Sequence, residues 1–379
     1  MMKKVLPDVC DIQYGYAFDS AKFSSDQGVP LIRIRDVVRG FSETYTTEEC
    51  SEEYIVNNGD ILIGMDGEFN IAQWHGGKAY LNQRVCRLIP KDEINPLYLF
   101  YFMPKALKTI EDKTPFVTVK HLSAKELNKI VVPVPTFREQ KEISSSLQKL
   151  DELISLRKQQ LSKLDELVKS RFIELFGDVK TNKFGWEKCR FGDVATKITD
   201  GEHGTVPRVE KGEGYLYFMA RNITKDGNID LTETSYVPEE VHRKIYKRCN
   251  PEIGDIMLVC VGATIGKCTI VPKDFEEFSM ARSVALIKPD SQKVNSTFLI
   301  SLLKSDAIQN DISNCAHAAA QAGLYTNMII NLDAFLPPIE LQNQFAAFVE
   351  QTDKSKLAIQ KSLDQLETLK KTLMQKYFG

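Results

Sequence analysis

Several basic and amide side chains in this sequence have the types and settings that contacts to phosphates or nucleic-acid bases require. Arg33, Arg35 and Arg39 lie at odd positions of a predicted strand and its exit, so they can share one face. That face is either a phosphate- or base-contacting edge or an ordinary solvated strand face. Gln73 lies in a polar loop that either offers paired donors and acceptors to base edges or forms a capped turn over a half-buried Trp74.

The second half of the sequence contains two polar, glycine-rich loops. Residues 200–205 read DGEHGT and lead to Arg208. Residues 262–267 read GATIGK and resemble a phosphate-binding loop, but only three residues separate the two glycines and Cys268 follows Lys267. Because the GxxxxGK[ST] spacing is missing, we interpret this loop as a turn that carries a lysine.

The sequence lacks the motifs that catalysis and metal binding would need. It contains no NPP[YF] or DPPY adenine pocket, no GxGxxG motif after a strand and no GxSxG nucleophile motif. The eight cysteines are scattered, without CxxC pairs or zinc-site spacing, which predicts reduced, buried thiols in a cytoplasmic protein. The first residues form no apolar signal region, and no stretch approaches the length of a membrane span.

Charge argues against avid, non-specific binding to nucleic acid. The chain has 49 basic and 51 acidic residues and a formal net charge of −2. The segments 1–134, 135–178, 179–335 and 336–379 carry net charges of −2, 0, −1 and +1. No segment is a basic domain, so any nucleic-acid contact must come from a local patch.

A long helix is predicted for the stretch 133–178. From Ile143 to Leu175, eight of ten positions at alternating steps of four and three are apolar, and the residues between them are mostly polar. Prolines precede this helix and Gly177 follows it. Its narrow apolar stripe predicts pairing with another helix.

The partner helix is predicted in the same chain, 202 residues further on. This offset aligns Gln140 with Gln342, Ile143 with Phe345 and Phe176 with Phe378 over some forty residues without a gap. Such a long period excludes a solenoid. The chain is therefore predicted to be a duplicated unit, in which a globular segment precedes a long helix.

The globular segments are predicted to be mixed α/β with a strand-rich core. The first half suggests strands at 29–38, 59–65, 79–89 and 129–134, and a helix over 94–110 that Pro104 ends or kinks. The second half repeats these patterns with different loops. The predicted boundaries are 1–134 and 179–335 for the globular domains, and 135–178 and 336–379 for the long helices.

Six stretches carry a family resemblance. They are VPVPTFREQKEISSSLQKLDELI and LPPIELQNQFAAFVEQTDKS at the starts of the long helices, GDILIGMDGEFNIAQW and LNQRVCRL in the first half, and ITDGEHGTVPR and GDIMLVCVGATIGK in the second. Over essentially its whole length, the sequence resembles the specificity (S) subunit of type I restriction-modification systems.

The resemblance implies an α+β protein with two target recognition domains, each reading half of a bipartite, asymmetric DNA site. The two long helices would pair as an antiparallel coiled coil that acts as a spacer. Two modification (methyltransferase) subunits would methylate adenine with S-adenosylmethionine, and restriction (endonuclease/translocase) subunits would use ATP and Mg²⁺. The chain itself would be non-catalytic, would bind no cofactor and would not contact a membrane.

Candidate DNA contacts follow from loop position and side-chain type. They are Arg33, Arg35, Gln73, Lys78 and Arg84 in the first domain, and His203, Arg208, Arg221, Lys267 and Arg282 in the second. The main alternative is a coiled-coil scaffold or interaction protein without DNA recognition. A fused methyltransferase is a weaker alternative, because the adenine-pocket motif is missing.

Overall fold

A computed structural model describes residues 2–114, 120–273, 275–318 and 323–379. They form two compact units. Unit 1 combines Met1–Lys158 with Lys361–Gly379, and unit 2 is Gln159–Gln360. Each unit therefore contains one globular segment, the start of one long helix and the end of the other.

Unit 1 contains short strands and one long globular helix. Its strands are β1 (Met2–Val5), β2 (Cys10–Tyr14), β3 (Phe23–Ser24), β4 (Val29–Ile32), β5 (Tyr45–Thr46), β6 (Ile55–Val56), β7 (Ile61–Gly64), β8 (Ile71–Gln73), β9 (Ala79–Leu81), β10 (Val85–Pro90) and β11 (Val131–Val134). Its helices are α1 (Leu6–Val9), α2 (Ile34–Arg39), α3 (Pro96–Lys113), α4 (Ala124–Asn128) and the first part of α5 (Phe137–Phe176).

The elements of unit 2 follow the same order. Its strands are β12 (Glu187–Arg190), β13 (Ala195–Asp200), β14 (Tyr215–Phe218), β15 (Tyr236–Val237), β16 (Ile256–Val259), β17 (Cys268–Ile270), β18 (Ser279–Met280), β19 (Val284–Pro289) and β20 (Asp333–Leu336). Its helices are α6 (Glu239–Cys249), α7 (Ser296–Leu303), α8 (Asp306–Ala318), α9 (Thr326–Ile330) and the first part of α10 (Ile339–Phe378).

The sheets of the two units share a common arrangement, although the second sheet has five strands in unit 1 and three in unit 2. The antiparallel sheet β2–β10–β7–β8 of unit 1 matches β13–β19–β16–β17 of unit 2, and the pair β1–β11 matches β12–β20. A second sheet contains β5–β4–β9 in unit 1 and β15–β14–β18 in unit 2, with β4 parallel to β9 and β14 parallel to β18. The predicted mixed α/β fold with an internal two-fold repeat is confirmed.

Prediction of a strand over 29–38 is wrong in its second part. β4 ends at Ile32 and α2 begins at Ile34. The buried Asp36 carboxylate accepts a hydrogen bond of 2.9 Å from the backbone N–H of Arg33, which fixes the start of the helix. Arg33 is therefore the N-cap of a helix and Arg35 lies within it, so the three arginines do not share a strand face.

Two further elements differ from the prediction. The stretch 79–89 is divided between β9 and β10, with a turn at residues 82–84. Pro104 does not end its helix, because α3 continues from Pro96 to Lys113. Burial of Phe102, Met103 and Leu107 around the proline offsets its penalty of about 3 kcal/mol.

The start of α5 and the end of α10 run antiparallel within unit 1. Asp151 pairs with Lys370, and Lys158 pairs with Glu367 at 2.9 Å, so the numbers rise along one helix as they fall along the other.

Unit 2 shows the same arrangement with the opposite ends of the two helices. Asp165 pairs with Lys356 at 2.6 Å, and the rings of Phe172 and Phe345 lie 5.5 Å apart. The predicted pairing of the two long helices is therefore present in both units.

Candidate nucleic-acid interface

Three chain segments meet at one edge of each unit, which we call the loop edge. In unit 2, the exit of β13 lies beside the turn that precedes β19. The N–H of Glu202 donates to the carbonyl of Met280 at 2.8 Å, and the N–H of Arg282 donates to the carbonyl of Glu202 at 3.0 Å. The loop after β16 joins them through a bond of 2.8 Å from the N–H of Cys260 to the carbonyl of Ser283.

Unit 1 builds its loop edge with two equivalent backbone contacts. The N–H of Tyr16 donates to the carbonyl of Leu81 at 2.9 Å, and the N–H of Met65 donates to that of Arg84 at 3.0 Å. The loop edge of unit 1 is therefore formed by the exit of β2, the turn at 82–84 and the loop after β7.

A glycine marks the first of these segments in each unit. A Cβ atom at Gly15 would lie 2.0 Å from the carbonyl oxygen of Asn82, and one at Gly201 would lie 2.2 Å from that of Met280. Both distances are far below van der Waals contact, so only glycine lets the two segments approach.

The structure brings four of the five candidate residues of unit 2 to its loop edge. His203 and Arg282 lie in the meeting segments and are exposed. Arg221 follows β14, which runs parallel to β18, so it emerges at the same end as Arg282. Lys267 stands directly before β17, beside the end of β16, where its carbonyl accepts from Val259 N–H at 2.8 Å.

Three of these side chains have partners that orient them. His203 Nε2 lies 2.6 Å from an oxygen of Asp200. The guanidinium of Arg208 lies 4.0 Å from the centre of the Tyr217 ring, a cation–π contact. Arg221 donates to the Ser235 hydroxyl at 2.7 Å.

A carboxylate, that of Glu202, also lies at this edge. The N–H of Gly204 donates to Glu202 at 3.0 Å, and this bond, together with the nearby Arg248 and Lys244, holds the pKa of Glu202 below its ordinary value. Glu202 is therefore ionised at neutral pH and can accept a hydrogen bond from a base amino group, such as that of cytosine.

Candidate residues of unit 1 divide between two ends of the domain. Arg84 lies at the loop edge, exposed and 3.5 Å from Asp66, which is also 2.5 Å from His121. Arg33 and Arg35 emerge at the same end, because β4 runs parallel to β9 and both strands stop there.

Gln73 and Lys78 lie at the other end of unit 1. Gln73 pairs with Ile61 at the start of β7, and Lys78 precedes β9, whereas the loop edge lies at the ends of β7 and β9. The structure therefore does not bring these two residues together with Arg84.

Trp74 is a core residue of unit 1. It is fully buried, and its Nε1–H donates to the carbonyl of Gly77 at 2.6 Å. Of the two interpretations of this loop, the structure shows a turn over a tryptophan, and the ring is more deeply buried than the sequence suggested.

Sequence reasoning missed an aromatic group at the loop edge of unit 1. Tyr16 occupies the place that Glu202 has in unit 2, is partly exposed and packs against Phe18 with ring centres 4.9 Å apart. Alignment of Gly15 with Gly201 across the repeat would have identified it. Lys244 and Arg248 of α6 were also missed, because the alternation of charges in that stretch is typical of any surface helix.

The described parts of the chain contain no cluster of histidine, cysteine, aspartate or glutamate that could hold a metal ion. Burial raises the pKa of the Cys86 and Cys260 thiols to about 12, so neither is a nucleophile at neutral pH. No helix in the described ranges has the length and apolar character needed to cross a membrane.

Comparison with known proteins agrees with this architecture. The chain is 29% identical to the type I restriction enzyme EcoBI specificity subunit of Escherichia coli, over 98% of this chain and 84% of that protein. It is 27% identical to the MjaVIII specificity subunit of Methanocaldococcus jannaschii, over 86% and 79% of the two chains.

Solved structures show the same fold. The S subunit of a type I restriction-modification system from M. genitalium aligns with a TM-score of 0.63 and 16% identity, over 100% of this chain and 96% of the other. A chain from a type I system described for its complex assembly and conformational transition aligns with a TM-score of 0.56 and 16% identity, over 100% and 97%.

The model of the type I restriction modification DNA specificity domain matches the chain twice, at residues 1–166 and 184–369. These matches cover both units and most of both long helices. The chain therefore belongs to the family of type I restriction-modification specificity subunits, which are non-catalytic DNA-recognition components.

Proposed function

We propose that this chain reads a bipartite, asymmetric DNA site, with one half-site contacted by the loop edge of each unit. The observation that carries the proposal is that both loop edges have the same backbone construction but different side chains. A shared frame places both edges in the same way against a duplex, whereas unlike side chains select unlike sequences.

The chemistry of the two edges supports different readings. In unit 2, Arg282 and His203 offer hydrogen-bond donors and Glu202 offers an acceptor. In unit 1, the corresponding turn carries Gln83 and Arg84 beside the aromatic Tyr16. Arginine favours guanine and glutamine favours adenine in the major groove, so the edges fit different half-sites.

Partner subunits supply the chemistry in this proposal. Specificity subunits of type I systems bind DNA and assemble with other subunits of the system. We propose that two modification subunits bring S-adenosylmethionine and methylate adenine, and that restriction subunits bring ATP and Mg²⁺. The helices α5 and α10 would serve as the spacer. The alternative of a scaffold without DNA recognition has no support in the comparisons.

Genome-wide mapping of methylated adenine tests the half-site assignment. The chain is expressed with its modification subunit in a host without adenine methylation, as wild type, as Arg282→Ala and as Arg84→Ala. Loss of one arginine contact to a base costs about 1–3 kcal/mol and relaxes specificity at that position. Arg282→Ala should therefore alter one half of the methylated sequence, and Arg84→Ala should alter the other half.

Two outcomes contradict the proposal. Methylation without a bipartite consensus in the wild type would refute recognition by two units. Changes in both halves of the site from either single substitution would refute the assignment of one half-site to each unit.

A further inference from the structure

Helix α6 has no helical counterpart in unit 1. It follows β15 and packs against β18. The corresponding segment of unit 1 is residues 47–60, which contain only a short 3-10 turn and β6. Strand β6 pairs with β9 and takes the place that α6 has in unit 2. The two units therefore differ most at this position.

The two corresponding segments also differ in charge. Residues 47–60 contain five acidic residues and no lysine or arginine, whereas residues 238–255 contain four acidic and four basic residues. The four basic residues all lie on α6, from its middle to its C-terminal end: Arg243, Lys244, Lys247 and Arg248. Of the four acidic residues, Glu252 and Asp255 pair with Lys288, and Glu239 pairs with Arg243.

Two of these cations are available to an external partner. Lys244 and Lys247 are exposed, and neither forms an ion pair with any residue in the described ranges. Lys244 lies close enough to Glu202 to influence it electrostatically, so this lysine borders the loop edge, and Lys247 lies one turn further along the same helix.

α6 is firmly held against that edge. Its buried His242 stacks on Tyr215 with ring centres 3.8 Å apart. At its C-terminal end, Arg248 donates to the carbonyl of Gly201 and the thiol of Cys249 donates to that of Asp200 at 3.2 Å. The cations are therefore carried on a rigid element that is bonded directly to the exit of β13.

We infer that α6 contacts the DNA backbone beside the half-site of unit 2, with Lys244 and Lys247 neutralising phosphates, and that unit 1 has no such contact. The inference rests on the proposed function. Two unpaired lysines on a rigid helix next to a base-reading edge complement the charge of the phosphates that flank the bases being read. The acidic segment 47–60 would repel phosphates at the same place in unit 1.

Salt dependence of DNA binding tests this inference. The complete complex, with its modification subunits, is prepared with the wild-type chain and with the double variant Lys244→Gln/Lys247→Gln. The probe is a duplex carrying the site mapped for the wild type, and a second duplex has that site scrambled. Binding is measured between 50 and 200 mM salt.

Each lost phosphate contact lowers the slope of log K against log salt concentration by about 0.9, so the double variant should lose roughly 1.8. Over that salt range, the affinity of the wild type should fall about 12-fold more than that of the variant. The effect should be present on both duplexes, since phosphate contacts carry no sequence information, and the methylated sequence should not change.

The matched control removes two other lysines from unit 2. Lys188→Gln/Lys293→Gln changes the same net charge at exposed positions near β12, away from the strand ends that form the loop edge, and should leave the slope unchanged. A wild-type slope in the α6 variant, or an equal decrease in the control, would overturn the inference. A changed methylated sequence would also overturn it, because α6 would then read bases.

The experiment separates this inference from the proposed function. If the wild-type complex methylates no bipartite site, the proposed function itself fails. If it does so and the α6 variant keeps the wild-type slope, only the role of α6 is refuted. Retention of methylation at the mapped site shows that the variant is folded and assembled.

Discussion

His242 is the most deeply buried of the histidines whose side chains the structure describes, and it shows how one residue anchors a functional element. It is 1% exposed, and its ring nitrogens lie 3.0 Å from the Ser279 hydroxyl and 3.4 Å from Glu277. Burial lowers its pKa below the ordinary value of 6.5, although Glu277 acts in the opposite direction. The neutral ring is therefore the form that fits between β14 and β18.

This pKa predicts that unit 2 loses stability as the pH falls. The unfolded chain binds a proton at His242 below pH 6.5, whereas the folded chain resists it, so acid favours unfolding. The stabilisation is complete above pH 6.5 and is lost as the pH falls through the lower, folded-state pKa. Arg243 and Glu239 are the other charged groups near the ring.

The measurement is amide hydrogen exchange of unit 2 between pH 5 and 8, corrected for intrinsic rates. His242→Phe keeps an aromatic ring beside Tyr215 but cannot titrate, so its unit 2 should show a flatter pH dependence. His75→Phe, at an exposed position of unit 1, is the control and should behave as wild type. An unchanged pH dependence in His242→Phe would rule out this histidine as the cause.

At the scale of elements, the start of each long helix is joined to its domain by a buried glutamine. Gln140 accepts from Asn95 N–H at 2.8 Å and donates to the carbonyls of Glu93 and Pro135 at 3.1 and 3.0 Å. Gln342 makes the same three contacts with Asn295, Lys293 and Pro337, at 2.9, 3.3 and 2.9 Å. Both glutamines are fully buried.

Replacing Gln140 by leucine should destabilise unit 1 by at least about 3 kcal/mol. The substitution leaves three backbone groups without partners, and each unsatisfied buried group costs about 1–3 kcal/mol. Gln148→Leu is the matched control on the same helix, because Gln148 is exposed and bonds only to Glu152. Hydrogen exchange in α3 and the start of α5 reports the loss, and equal protection in the two variants would contradict the prediction.

Elements were predictable from sequence where a periodic pattern agreed with the packing. The seam from Ile143 to Leu175 and the 202-residue offset identified both long helices and their repeat. The start of α2 was missed, because its capping residue is an arginine and the β-branched residues of this stretch favour a strand. The hydrogen bond that fixes the helix start is accepted by the Asp36 carboxylate. Of the two effects expected of Pro104, an end of the helix is excluded, since tertiary burial around the proline outweighs its local preference.

The candidate interface was less predictable than the fold. All the candidates were chosen by loop position and side-chain type, and these do not show which strand ends meet. Arg84 and Arg282 lie at the loop edges, whereas the order of the strands separates Gln73 and Lys78 from Arg84. The role of Gly15 depends on a contact with Asn82, 67 positions later, which no local pattern contains.

At the scale of the whole molecule, each unit is completed by a chain segment that is remote in sequence. Phe378, near the end of α10, packs against Tyr98 and Phe102 of unit 1, with ring centres 5.4 and 5.9 Å apart. Phe176, at the end of α5, packs against Phe298 and Phe345 of unit 2, at 4.8 and 5.5 Å. The two phenylalanines are related by the 202-residue offset, so each closes the core of one unit.

This arrangement predicts that two equivalent substitutions destabilise different parts of the chain. Phe378→Ala should destabilise unit 1 by about 3–5 kcal/mol and Phe176→Ala should destabilise unit 2 by a similar amount, because each removes a buried ring and leaves a cavity. Hydrogen exchange resolved by peptide distinguishes them, and each variant is the control for the other. Phe378→Ala should increase exchange in α3 and β10, whereas exchange in α7 should increase only in Phe176→Ala.

If Phe378→Ala loosens unit 2 as much as unit 1, the chain unfolds as a single cooperative body and the two units are not independent. If the two patterns separate, the last residues of the sequence stabilise its first domain, and loss of the C-terminal helix end should impair reading of the first half-site before the second.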